Sequence, residues 1–213
     1  RPVCACVTEI TPEGEIVLSR RKAQQLAMDH LLREAAPGDI LPAVVTGCTA
    51  FGAFCDVGCG AAALLGTQQL CISRLRHAGE MLTPGQRIYA AIRTLDRVQR
   101  RVFLTQRELL GTWAENAARF CAGQTVTGVV RSLTDYGAFI ELTPNLSGLA
   151  EDDGTLRVGD HVAVYIRAIV PETLKIKLSV LHRVEPQPRP ALRYMQTEGH
   201  IRQWRYGNEE FAK

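Results

Sequence analysis

Two four-residue segments, Phe51-Gly-Ala-Phe54 and Tyr136-Gly-Ala-Phe139, carry the most specific chemical signal in this sequence. In the second, Ala138, Ile140 and Leu142 form the apolar phase of an alternating stretch, so Phe139 falls on the polar phase with Glu141. In the first, Phe54 is in phase with Asp56, opposite Ala53, Cys55 and Val57. A ring on the outer face of a strand does not fill a core. It packs against a neighbouring element or stacks on a planar ligand, and recurrence of the same pair favours a stacking platform for bases. Two aromatics three positions apart would lie on opposite faces of a strand. A bulge at Gly52 and at Gly137 is therefore expected, to bring each pair onto one surface.

Cations suited to the same ligand lie nearby. The chain has 21 Arg and only 4 Lys, and Arg both forks onto phosphate and stacks its planar guanidinium. Arg93, Arg97, Arg100, Arg101 and Arg107 surround one predicted hairpin. Alone they would be a solvated turn; beside an aromatic platform they make a phosphate track. Arg20, Arg21 and Lys22 open a predicted helix, where the helix dipole disfavours cations, a further pointer to an anionic partner. The tail residues Arg193, Tyr194, His200, Arg202, Trp204, Arg205 and Tyr206 mix stacking and phosphate-binding types, or else dock onto their own domain.

Other chemistry finds no constellation. Cys55, Cys59, Cys71 and His77 match no paired Cys-x-x-Cys spacing, and Cys55 falls on a core phase. There is no phosphate loop, nucleophile elbow or His-Glu-x-x-His, and Asp152-Asp153 before Gly154 reads as a turn. The expectation is no catalytic residue, no metal and no cofactor.

The elements that must position these residues come in two copies. Gly38 to Phe54 lies over Gly123 to Phe139 without a gap, with Gly38, Val44, Val45, Thr49, Gly52, Ala53 and Phe54 recurring. Gly85 to Thr105 then lies over Gly159 to Ser179. Period-two alternation (Ile88, Ala90, Ile92, then Val102, Leu104; Val162, Val164, Ile166, then Ile176, Leu178) and Gly punctuation predict a mainly β protein of two five-stranded barrels. Helices are expected over Ser19 to Ala36 and over Thr105 to Phe120, the second opened by Thr105-x-x-Glu108 and striped by Leu109, Trp113, Ala117 and Phe120. Val3 to Val7 and Glu15 to Ser19 resemble the last two strands of each copy, as if left from a third barrel. The expected division is 1–19 partial-barrel hairpin, 20–36 helix, 37–107 first barrel, 105–120 linker helix, 121–184 second barrel, and 185–213 basic aromatic tail after a Pro-rich linker.

Composition fits this division. Of 213 residues, 46% are hydrophobic and 22% charged, with a net charge of +3, which argues against disorder and against a polycationic tail. No apolar run approaches a membrane span, and seven cysteines without regular spacing favour free thiols in a reducing compartment.

The pattern Gly-x-Val-x(5)-Tyr/Phe-Gly-Ala-Phe-x-Asp/Glu-x, with Gly-Gln/Asp-x-Val and a closing Arg/Lys-Ile/Val-x-Leu-Ser/Thr, resembles the ribosomal S1 RNA-binding domain over about 37–107 and 121–184. The segments Glu-Leu-Leu-Gly-Thr-Trp-Ala-Glu-Asn-Ala and Gly148-Leu-Ala-Glu151 are further similar to bacterial ribosomal-protein-S1-like proteins. The resemblance implies tandem oligonucleotide-binding (OB) barrels, single-stranded RNA as ligand, a cytoplasmic bacterial protein, and the ribosome or RNA-processing proteins as partners, with no membrane. It assigns base stacking to Phe51, Phe54, Tyr136 and Phe139, backbone contact to Arg101 and Lys175, and a binding-site place to Asp96, with Arg93 beside them. Two departures stand out: where the family has Gly-Leu-Val-His, the first copy ends in Gly66 and the second in Glu151. Low-preference RNA binding is the leading expectation. The alternatives are an accessory region of a larger RNA-processing or metabolic enzyme, and a protein–protein OB module.

Overall fold

Alternation of small apolar and polar residues becomes strand wherever it recurs, and a computed structural model describes residues 3–152, 154–188 and 191–207. Asp153 of the acidic turn, Arg189 and Pro190 of the linker, and the end of the tail lie outside the described residues. Two compact units divide the chain: Arg1–Leu70, His77–Gln106 and Thr197–Arg202 form the first, and Cys71–Arg76, Arg107–Gln196 and Gln203–Lys213 the second.

The first unit begins with a hairpin of β1 (Cys6–Ile10) and β2 (Ile16–Ser19), followed by helix α1 (Arg20–Glu34). Ser19 caps α1, its hydroxyl accepting from Lys22 N at 3.1 Å, the role Ser plays at a helix start. Strands β3 (Ile40–Cys48), β4 (Gly52–Asp56), β5 (Ala62–Gly66), β6 (Arg87–Asp96) and β7 (Arg101–Thr105) close a barrel in the order β3-β4-β5-β7-β6. The parallel pair β5–β7 shuts it. Val45, Ala53, Cys55, Leu65, Ile88, Ile92, Val102 and Leu104 are all buried inside.

The second unit repeats the plan. A short helix α2 (Trp113–Ala117) precedes β8 (Thr125–Thr134), β9 (Gly137–Thr143), β10 (Leu146–Ala150), β11 (His161–Val170) and β12 (Lys175–Arg183), closed as β10-β12-β11-β8-β9. Trp113 is buried in the core of this barrel with Val130, Ile140, Val164 and Leu178.

Three expectations need correction. The helix over 105–120 is broken: a 3-10 turn spans Arg107–Leu110, Gly111 follows at φ +87°, and α2 starts afresh. The capping box belongs to Thr112 and Glu115, not to Thr105 and Glu108. Thr105 ends β7, buried, with its hydroxyl donating to Gln69 Oε1 at 3.2 Å. Gly111 adopts a backbone conformation that a helix interior excludes, and Asn116 Nδ2 donates to Leu110 O and Thr112 O, holding the break.

The bulges lie elsewhere than expected. Gly52 and Gly137 stay in register with β5 and β8. The extra residue sits on the partner strand, at Thr46 between Val45 and Gly47 and at Arg131 between Val130 and Ser132. The two glycines serve close approach: a Cβ on Gly52 would lie 2.5 Å from Leu65 O, and one on Gly137 would strike the Ala150 carbonyl.

The first strand of the hairpin also runs later than expected, Cys6–Ile10 rather than 3–7. Its register with β2 is that of the barrel-closing hairpins. Ile10↔Ile16, Glu9↔Val17, an extra Thr8, Val7↔Leu18 and Cys6↔Ser19 repeat Leu95↔Val102, Thr94↔Phe103, an extra Arg93, Ile92↔Leu104 and Ala91↔Thr105. The difference is burial: Ile92 and Leu104 are 1% exposed, whereas Val7 and Leu18 are 54% and 60% exposed.

Candidate functional site

Each aromatic pair is one strand residue and one turn residue. Phe54 projects from β4, while Phe51 sits in the turn before it. The turn is drawn tight by Thr49, whose N–H and hydroxyl both donate to Gly52 O at 2.8 Å, and by Thr67, whose hydroxyl donates to Ala50 O at 2.7 Å. The rings meet edge to face, centroids 5.9 Å apart and planes at 85°, within the favoured range for aromatic pairs. Both remain exposed, Phe51 by 60% and Phe54 by 40%. In the second barrel Thr134 Oγ1 donates to Gly137 O at 2.9 Å, and Tyr136 meets Phe139 at 6.0 Å and 86°. A tight turn, not a bulge, thus brings each pair of rings together.

The basic residues divide into two groups. Arg93 is the bulge residue of β6, and Arg101 opens β7; both are exposed. The residue before Arg101, Arg100, is left-handed at φ 54°, as Leu174 is at φ 53° before the exposed Lys175. This non-glycine turn is uncommon and sets both cations at the mouth of a closing strand. Arg97 and Arg100 are otherwise engaged: Arg97 Nε donates to Leu32 O at 3.0 Å, and Arg100 pairs with Asp29 at 2.6 Å, both on α1. Arg107 belongs to the second unit, bonded to Glu108 and lying over the Trp204 ring at 5.7 Å. The expected five-arginine track is thereby reduced to Arg93 and Arg101. Asp96 holds its turn, Oδ1 accepting from Gln99 N at 2.7 Å.

The tail follows the docking reading. In the first unit Ile40 N donates to Gly199 O and Ile201 N to Gly38 O, while His200 Nδ1 lies 2.8 Å from Asp39 Oδ1. Hydrogen bonds from His200 and from Ala36 N hold the Asp39 carboxyl below the usual carboxylate range. In the second unit Tyr206 donates to Asn145 O at 2.6 Å, and burial raises its phenol.

Sequence reasoning missed a lateral row on the outer face of the first barrel. Phe54 pairs with Leu64, Leu64 with Phe103, and Phe103 with Thr94. The corresponding row of the second barrel is Phe139, Leu149, Lys177 and Ala168. The signal was present in the closing pattern, whose unconstrained position is Phe103 in one copy and Lys177 in the other. Also missed was Asn145, fully buried, whose Nδ2 donates to Arg107 O and Gly111 O while Oδ1 accepts from Ile72 N.

Among the described residues no group of three or more His, Cys, Asp or Glu is placed to hold a metal ion, and no helix is long and apolar enough to cross a membrane. Cys55 lies inside the first barrel, where burial pushes its thiol up to about 12.

Two closed five-stranded barrels, each with an edge-to-face aromatic pair ahead of a basic residue at the closing strand, define a tandem OB-fold protein. The S1 RNA binding domain family matches residues 34–107, which contain the first barrel. The chain is 30% identical over 200 residues to the small ribosomal subunit protein bS1 of Leuconostoc lactis, covering 84% of this chain and 46% of that protein. It is 30% identical over 215 residues to the same-named protein of Staphylococcus aureus strain COL, covering 90% and 55%. The chain belongs to the S1-like family. It spans about half the length of these curated relatives. A solved Streptococcus pneumoniae multidomain protein with nucleic acid binding domains aligns over 86% of this chain and 60% of that one, at 14% identity and a TM-score of 0.33.

Proposed function

We propose that this chain binds single-stranded RNA without catalysis and with little sequence preference, in the cytoplasm and in the service of translation, with the ribosome as its associated partner. The observation that carries the reading is the pair of matching platforms: Phe51 with Phe54 and Tyr136 with Phe139, each edge to face at about 6 Å, with Phe51, Phe54 and Tyr136 exposed and Phe139 half-buried. Stacking is sequence-tolerant because every base has a π face, and removing a stacked ring costs roughly 1–3 kcal/mol per base. Arg93, Arg101 and Lys175 add phosphate contacts that weaken with salt. The S1 family match and the ribosomal names of the relatives support both the ligand and the setting. On this reading hairpin β1–β2 is the closing hairpin of a third S1-type barrel, supported by its shared register and its uncovered Val7 and Leu18.

The deciding experiment is titration of the chain with fluorescent single-stranded RNA of several compositions. Phe51→Ala with Phe54→Ala should weaken binding by about 2–4 kcal/mol across all compositions, with the melting temperature preserved because both rings lie outside the core. A variant that folds and binds RNA normally would refute the platform.

A further inference from the structure

The two barrels share the aromatic pair but not what lies across the sheet from it. In the first, the outer-face row runs from Phe54 on β4 through Leu64 on β5 to Phe103 on β7, without an interruption in register. Residues paired directly across neighbouring strands point to the same side of the sheet. The burial pattern agrees, since Val102 and Leu104 are buried while Phe103 between them is partly exposed. Two strand spacings separate Phe54 from Phe103, about 10 Å. That exceeds the 4.5–7 Å over which aromatic rings contact one another, so Phe103 stands apart from the Phe51–Phe54 pair and offers a separate ring face. Arg101 stands two residues before Phe103 on the same strand and shares its face. In the second barrel the corresponding row is Phe139, Leu149 and Lys177, with Lys175 two residues before.

From this we infer that Phe103 is a third base-stacking residue, which extends the first barrel's platform across the sheet to hold a further base of a single-stranded nucleic acid, and that Lys177 replaces that stacking contact with a phosphate contact in the second barrel. The inference rests on the function proposed above. Each barrel then binds single-stranded RNA with different physics. The first relies on three aromatics and is less salt-dependent at this step; the second has two aromatics and two lysines and is more so. Leu64 and Leu149 form an apolar floor between the two ends of each row.

The test uses the full chain with the second platform silenced by Tyr136→Ala and Phe139→Ala, titrated with a labelled single-stranded oligoribonucleotide. Phe103→Leu keeps an apolar side chain against Leu64 but removes the ring face. It should weaken binding at least fivefold, whereas Phe103→Tyr should bind as the parent does. Phe103→Lys should steepen the dependence of log K on log salt by about 0.7, the increment for one phosphate on a single strand. The reciprocal arm does not depend on the folding of any Phe103 variant. With Phe51→Ala and Phe54→Ala in place instead, Lys177→Phe should tighten binding severalfold and flatten the salt slope by the same increment. Unchanged affinity in both Phe103→Leu and Lys177→Phe overturns the inference. If removing Phe51 and Phe54 from the silenced chain also leaves affinity unchanged, the underlying RNA-binding reading fails with it. If that removal abolishes binding while the other two variants are neutral, only the role of Phe103 is lost.

Discussion

Arg131 Nε donates to Glu141 Oε2 at 2.8 Å, with the Arg131 side chain 10% and the Glu141 side chain 6% exposed. The pair exists because the β8 bulge adds Arg131 opposite the stretch that carries Glu141. It gives the buried Glu141 carboxylate, on the same strand as Phe139, a cationic partner. Removing one partner of such a pair leaves an uncompensated charge, which costs about 3–5 kcal/mol, whereas replacing both by apolar residues of similar volume is near neutral. Arg131→Met should therefore destabilise the second unit by about 3 kcal/mol, and Arg131→Met with Glu141→Leu should recover most of it. Both tryptophans, Trp113 and Trp204, lie in that unit, so tryptophan fluorescence during urea unfolding reads it directly. Equal losses in the single and double variants would mean that an uncompensated Glu141 charge is not the source of the loss.

The two platforms should contribute unequally to RNA affinity. The first stands with exposed Arg93 and Arg101. The second carries Glu151, 92% exposed and only 3.5 Å from Arg167, where the first has Gly66. In the full chain, Phe51→Ala with Phe54→Ala should therefore weaken RNA binding at least tenfold more than Tyr136→Ala with Phe139→Ala. In the former background, Glu151→Gln should tighten binding severalfold at low salt, an effect that disappears as screening shortens the Debye length. Identical losses from the two double variants would remove the distinction between the barrels.

Acid should loosen the tail from the first unit before it unfolds the barrel. The Asp39 carboxyl is held below its ordinary value by His200 and Ala36. Its stabilisation is thus complete above about pH 4, the unfolded value, and is lost as pH falls through the lowered folded value. Both side chains are about 40% exposed, so solvent screening limits the effect to under about 1 kcal/mol. Amide protection at Ile40 and Ile201, which bond across the contact, should fall below pH 4 while that of Val45 persists. In Asp39→Asn this pH dependence should vanish.

Alkylation should separate the cysteines by position. Cys55 is buried in the first barrel with its thiol pushed up to about 12, and the thiolate is the reactive form. Iodoacetamide at pH 8 should modify the exposed Cys121 in the native chain, and Cys55 only after denaturation. Rapid native modification of Cys55 would show that the barrel opens on the labelling timescale.

How much was legible beforehand follows from the range over which each feature acts. Strand phase is local: Ala53 and Cys55 alternate with Phe54, and Ala138 and Ile140 with Phe139, so the outer placement of Phe54 and Phe139 can be read from period two, and the number of strands per copy from period two with the Gly punctuation. The pattern also sufficed for α1 and for the burial of Trp113. Where the bulges fall could not be read in this way, because a bulge belongs to a pair of strands. Gly52 looked like the irregular residue, yet the extra one is Thr46 across the ladder, and Gly52 is needed for the approach of Leu65 O.

The remaining features were decided by tertiary structure for the same reason. Arg97 and Arg100 resembled ligand-binding cations until the fold brought Leu32 and Asp29 of α1 to them, some 65 to 71 residues earlier in the chain. Phe103 became part of a row with Phe54 only when β5 paired with β7 in parallel, a closure with no local signature. Helix propensity favoured one helix over 105–120, but the left-handed Gly111 and the Asn116 bonds that flank it outweighed that preference. Residue types and their phase thus determined that this chain makes two aromatic-faced barrels. Which cations stay exposed, and which rings share a surface, depended on partners distant in sequence, whose contact energies no local pattern encodes.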